Sequence, residues 1–101
     1  MEWDKHGICN YSKHISWVLL AEEIFIFDEM TNKIYLLRDI QKEFWLLIDG
    51  KKNIADIITE TYNLTSLSIE EIKKLLNKFI IKMNKKKLIE WVIEDEQRNT
   101  D

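Results

Sequence analysis

The side chains best suited to binding a metal are His6, Cys9 and His14, which lie close together near the N-terminus. A zinc site needs four well-placed ligands, or three and a water molecule, and the chain has only one cysteine. The spacing of these three residues matches no recognised ligand set. We therefore expect no metal here, and we interpret the three as surface residues of an N-terminal arm.

Residues suited to catalysis are also scarce. A nucleophilic serine or cysteine needs an oriented base beside it, and both histidines fall in the predicted arm. The acidic pairs Glu22-Glu23 and Glu70-Glu71 are sequence neighbours. Neighbours on a strand point to opposite faces, and acids at a helix N-terminus simply favour the helix dipole. With only two glycines there is no glycine-rich phosphate loop. The sequence predicts neither an enzyme nor a cofactor.

Composition limits the chain to one soluble domain. It has 101 residues, of which 46% are hydrophobic and 33% are charged. No apolar run is long enough to cross a bilayer, and the N-terminus lacks the basic and then apolar plan of a secretory signal. A single cysteine cannot form an internal disulfide. We expect a cytoplasmic protein that does not bind membranes.

Charge is distributed unevenly along the chain. The net charge is −3, whereas nucleic-acid binders usually carry an excess of positive charge. Residues 1–30 contain six acids and two lysines, and residues 70–90 contain seven lysines and three glutamates. The sequence therefore predicts a local cationic surface in the C-terminal half of an acidic protein.

Three β-prone segments precede the helical part of the sequence. They are residues 15–20, 24–27 and 34–37, rich in branched and aromatic side chains. Residues 28–33 form a turn in which Asn32 can adopt a left-handed conformation. Segments of this length and spacing predict an antiparallel meander.

Two helices follow, each with a start signal. Asp39 can cap the first helix and Gly50 can end it in a left-handed conformation. Asn53 can cap the second. The predicted buried side of the second helix consists of Ile54, Ile57, Ile58 and Tyr62.

A capping box formed by Ser68 and Glu71 begins the third helix, which we expect to run to about Met83. Residues 88–93 are apolar enough for a last short strand or a helical extension. The predicted buried stripe of the third helix consists of Ile72, Leu75 or Leu76, Phe79 and Met83.

The order of these elements predicts an α+β fold, a winged helix-turn-helix in which a three-stranded antiparallel sheet is followed by three helices. The predicted organisation is a flexible N-terminal arm at residues 1–14, the winged-helix domain at residues 15–93, and an acidic, disordered tail at residues 94–101.

Several segments together resemble the PqqD family. Residues 24–37 are similar to its "D-x-x-T-G-x-x-Y-x-L-N" hairpin, residues 44–50 to its "I-W-x-L-L-D-G" helix end, and residues 53–57 to its "T-V-x-E-I" helix start. Residues 76–89 match the spacing of its final helix. The chain departs from the family at Asn32 and Lys87, where glycine is common, and at Arg38, where asparagine is common.

The resemblance implies a recognition element for ribosomally made precursor peptides. Such domains hold the leader segment of the precursor as an extra strand beside the third strand, in a cleft closed by the third helix. The implied partners are the precursor peptide and a separate modifying enzyme, such as a radical SAM maturase, a cyclase or a leader protease.

The residues themselves indicate where a peptide could bind. A sheet edge offers unpaired backbone groups to an added strand, and the third helix has more apolar residues than one core stripe needs. We interpret its second stripe as a groove wall whose lysine favours an acidic leader, although a wide helix face can also serve only the core. The predicted peptide-binding residues are Lys33, Ile34, Tyr35, Leu36, Leu37, Lys73, Leu76, Asn77 and Ile80.

Three alternatives remain open from the sequence. One line along the third helix carries four lysines: Lys74, Lys78, Lys82 and Lys85. This line can be a solvated face, a surface that docks an acidic enzyme, or a phosphate-binding surface. The rival function is a DNA-binding winged-helix regulator, which the net charge and the absence of arginine from the third helix disfavour. A structural subunit that dimerises through the sheet edge would use the same surface.

Overall fold

Two small sheets and three helices pack around one core. The computed structural model describes residues 6–92, so the predicted acidic tail lies outside the described residues. The elements are β1 (Cys9–Tyr11), β2 (Ile15–Leu20), β3 (Glu23–Asp28), β4 (Lys33–Leu37), α1 (Asp39–Leu47), α2 (Ile54–Leu64), α3 (Ile69–Lys85) and β5 (Ile89–Trp91).

Strands β2, β3 and β4 form the predicted three-stranded antiparallel sheet, in that order. Ile26 in the central strand lies opposite Trp17 on one side and Tyr35 on the other. At the β3–β4 turn, Asn32 has φ +59° as expected, and the carboxylate of Asp28 accepts the backbone N–H groups of Met30 and Thr31. The sheet is followed by three helices, which confirms the predicted α+β fold.

Residues 9–11 form a strand that packs on the core, so the prediction of an arm over residues 1–14 is wrong for these residues. Strand β1 pairs antiparallel with β5, the last strand of the described chain. Cys9 is 1% exposed, and its carbonyl accepts the N–H of Gly50 at 3.1 Å. The sequence reasoning missed β1 because its partner strand lies about 80 residues away.

Helix α1 begins and ends differently from the prediction. Asp39 has φ +57° and does not cap the helix, since Arg38 occupies the N-cap position without a side-chain hydrogen bond. The helix ends at Leu47, before Gly50. Gly50 has φ +78°, and a Cβ added there would lie 2.8 Å from the side-chain nitrogen of Asn10. Glycine is needed here because the backbone makes a left-handed turn and packs closely against Asn10.

Helices α2 and α3 begin as predicted. Asn53 accepts the N–H of Asp56 at 2.8 Å, Ser68 accepts the N–H of Glu71 at 3.1 Å, and both acids complete capping boxes. In α2, however, Thr61 is buried where Tyr62 was predicted, and Tyr62 is half exposed. The predicted buried side is thus confirmed at Ile54 and Ile57, with Ile58 partly buried against the core, and it is wrong only at Tyr62.

The buried face of α3 is wider than predicted. Leu76 is 2% exposed and Ile80 is fully buried, whereas Leu75 is only partly buried. Leu76 and Ile80 were predicted to form the exposed wall of a groove, and that prediction is wrong. The core uses them because α3 packs against α1, α2 and β5 at the same time.

Within residues 6–92, no helix is long and apolar enough to cross a membrane. The same residues contain no group of three or more histidine, cysteine, aspartate or glutamate side chains placed to hold a metal ion. Cys9 is buried among core residues, so the prediction that it lies on the surface is wrong.

We expect Ile80→Ala to lower the free energy of unfolding by about 2–5 kcal/mol, because it opens a cavity in the core. Ile81→Ala, one residue along and 42% exposed, should cost about 1 kcal/mol or less. Urea denaturation of both variants measures the difference. Equal losses would contradict the orientation of α3 described above.

We expect the Cys9 thiol to resist modification in the folded protein. Burial raises its pKa to about 12, so the thiol stays protonated at pH 8 and is shielded from reagents. The rate of reaction with a chromogenic disulfide reagent, measured with and without denaturant, tests this. Rapid reaction without denaturant would show that β1 is not docked.

Candidate functional site

Strand β4 lies at one edge of the three-stranded sheet. Among residues 6–92, its only partner strand is β3. Half of the backbone groups of an edge strand point away from the sheet and lack strand partners. An extended chain can pair with these groups as a fourth strand, at about 4.8 Å from β4.

A cleft lies between β4 and the C-terminal half of α3, with a volume of about 560 Å³. Its lining combines cations with one aromatic and one aliphatic side chain. The lining residues are Lys33, Tyr35, Lys78, Ile81, Lys82, Lys85 and Lys86. The cleft is therefore positively charged and lies directly beside the edge of β4.

The periods of the two elements explain this lining. In a strand, alternate residues share a face, so Lys33 and Tyr35 point together into the cleft. In a helix, residues four apart are neighbours, so Lys78 lies next to Lys82, and Ile81 lies next to Lys85. Each residue turns the helix by about 100°, which places these four on the side of α3 away from the core.

The positive charge of the cleft is not balanced by acids. No acidic residue lines it, and none of its five lysines forms an ion pair within the described part of the chain. Lys86 instead places its ammonium 5.2 Å from the centre of the Tyr35 ring. Such a surface attracts an anionic ligand, with an effect that salt weakens.

The β4 residues predicted to bind a peptide divide between three environments. Lys33 and Tyr35 line the cleft. Ile34 and Leu36 lie on the opposite face of the sheet and are exposed, and Leu37 is buried in the core. The backbone of all five belongs to the edge strand itself.

The four α3 residues predicted to bind a peptide do not line the cleft. Leu76 and Ile80 are in the core, and Lys73 is exposed. Asn77 is half buried, and its Oδ1 atom has no hydrogen-bond partner among the described residues. The sequence left Leu75 and Leu76 as alternatives for the buried stripe, and the structure buries Leu76, which the prediction had also assigned to the groove wall.

The sequence did contain a signal for the observed wall of the cleft. The sequence predicts that Lys74, Lys78, Lys82 and Lys85 lie along one line of the helix, and it leaves open whether that line is a solvated face or a binding surface. Ile81 within this line was the clue, because an isoleucine at the centre of a lysine face is unusual for a purely solvated surface. Lys86 was not singled out.

Comparisons with known proteins add one structural likeness. No protein-family model matches the chain, and no curated protein matches it. Among solved structures, TbiB1 in complex with the TbiA(beta) leader peptide superposes with a TM-score of 0.76 over 84% of this chain and 99% of the matched chain. The two chains share a fold. Their sequence identity is 16%, so the likeness concerns the fold alone.

We expect Tyr35 and Lys86 to be energetically coupled by about 0.5–1 kcal/mol, the usual size of an exposed cation–π contact. A double-mutant cycle with Tyr35→Leu and Lys86→Met measures the coupling from urea denaturation. The matched cycle with Lys85→Met should give a coupling near zero, since Lys85 lines the same cleft without this contact. Equal couplings in the two cycles would contradict the described geometry.

Proposed function

We propose that this protein binds the leader segment of a ribosomally made precursor peptide by strand addition and presents it to a separate modifying enzyme. The observation that carries this proposal is the edge of β4, which has no strand beside it in the described chain and borders an open cleft. Pairing through the backbone accepts many sequences, and the cleft selects among them.

The magnitudes show why an edge alone does not suffice. Ordering a peptide backbone costs about 1–2 kcal/mol per residue. Each backbone hydrogen bond returns only about 0.5–1.5 kcal/mol net. A guest that pairs along the five residues of β4 therefore needs side-chain contacts as well. The cleft between β4 and α3 lies where alternate side chains of that guest would point.

Two further findings support a leader peptide as the guest. The matched structure, TbiB1, was solved in complex with a leader peptide and has the same fold. The sequence resembles the PqqD family over its hairpin and helix segments, and that resemblance implies the same binding mode. Together they favour a leader segment over other extended chains.

The role of an adaptor follows from the geometry of strand addition. Only the part of the guest beside β4 is held, and the rest of the precursor extends beyond the sheet. A separate enzyme can reach that free part while the leader remains bound. We propose a radical SAM maturase, a cyclase or a leader protease as the enzyme, and no catalytic step for this chain.

We expect a fluorescent leader peptide, from a precursor gene beside this one, to bind saturably with micromolar or tighter affinity. Random duplex DNA at physiological salt should not bind, because a chain of net charge −3 neutralises few phosphates. Hydrogen exchange of the complex gives the location: amides of β4 should gain protection, while the other edge strand, β2, should not.

Two results would overturn the proposal. One is steep, salt-dependent DNA binding without peptide binding, which would favour a winged-helix regulator. The other is peptide binding that protects β2 or β5 and leaves β4 unchanged, because the guest would then lie elsewhere.

A further inference from the structure

The outer face of the three-stranded sheet is apolar and uncovered in the described chain. Register places Val18, Phe25 and Leu36 in one row across the strands, and Phe27 beside Ile34 in the next. Ile34 is 67% exposed and Leu36 is 41% exposed. These five residues, here called the outer sheet face, continue up to the free edge of β4.

The other face of the same edge has the opposite chemistry. Lys33 and Tyr35 point into the cleft, where α3 adds three lysines and Lys86 follows the end of the helix. Strand β4 thus separates an apolar surface from a cationic one within a single strand width. Any chain added to its edge meets both surfaces at once.

A strand directs successive side chains to opposite faces. One set of guest side chains would lie beside Ile34 and Leu36, within the 4.5–5.5 Å typical of cross-strand neighbours. The other set would enter the cleft. Five β4 residues allow two or three guest side chains on each face, so the five lysines of the cleft outnumber the side chains that enter it.

We propose that the recognised segment of the guest alternates acidic and apolar residues, with the acidic side chains in the cleft and the apolar ones extending the outer sheet face. This proposal rests on the proposed function and specifies its substrate class. A single guest strand would contact both surfaces, because the cationic cleft and the outer sheet face adjoin the same edge of β4.

Designed peptides test the alternation directly. The probe is a capped, dye-labelled nine-residue peptide that alternates glutamate and valine. Its controls are a peptide of equal composition with the glutamates and valines in separate blocks, an alternating lysine–valine peptide and an alternating threonine–valine peptide. We expect the probe to bind at least tenfold more tightly than each control at low salt, by fluorescence anisotropy, and to lose most of this advantage at 0.5 M salt.

The outcomes separate this inference from the proposed function. If the threonine–valine peptide binds as tightly as the probe and protects β4 amides, strand addition stands and the acidic requirement is overturned. If the block peptide binds as tightly as the probe, charge alone acts and the alternation is overturned. If the probe fails to bind while a leader peptide binds and protects β4, this inference falls and the proposed function survives.

Variants locate the effect. Lys78→Gln with Lys82→Gln should weaken binding of the probe by about five- to tenfold, the effect expected for two partly exposed ion pairs. The control pair, Lys13→Gln with Lys51→Gln, changes the net charge equally at exposed positions outside the cleft and should leave binding within about twofold. Thermal unfolding checks that both proteins are folded. Equal weakening in the two variants would overturn the placement of the acidic side chains in the cleft.

Discussion

A strand that is paired on one side only is the constraint around which this protein is organised. Strand β4 is hydrogen-bonded to β3 along one edge, and its other edge faces the cleft beside α3. Proteins usually shield such an edge, since it can template aggregation. Here two cationic side chains, Lys33 and Lys86, lie beside it and disfavour pairing with a second copy of the same edge. The outward backbone groups of the edge have no strand partner within residues 6–92.

The rest of the fold holds this edge at a fixed distance from α3. Strands β1 and β5 pair the two ends of the described chain. The carbonyl of Cys9 accepts a hydrogen bond from the N–H of Gly50 in the loop after α1. On the core-facing side of the sheet, the Tyr11 and Trp45 rings lie 4.6 Å apart, and the Tyr11 hydroxyl donates to the Trp45 carbonyl at 2.7 Å. A well-packed core of this kind resists movement of the sheet relative to the helices.

Local signals predicted the elements of the fold, and contacts between distant residues decided most of what was missed. The capping residues Asn53 and Ser68 act within one helical turn, so sequence alone identified them. Strand β1 depends on a partner near residue 90, and no local pattern shows it. On α3, both Leu75 and Leu76 fitted a helical stripe, and only packing against three other elements places Leu76 inside. Strand β4 does lie at a sheet edge, whereas Leu76 and Ile80 are buried and cannot form an exposed wall.

The most direct measurement of the central claim is NMR of the labelled protein bound to an unlabelled extended peptide. Strand addition predicts intermolecular nuclear Overhauser effects between backbone protons of the peptide and those of residues 33–37, in the alternating pattern of a β-ladder. Contacts of the peptide with side chains of α3 alone, without any from the backbone of β4, would contradict the account.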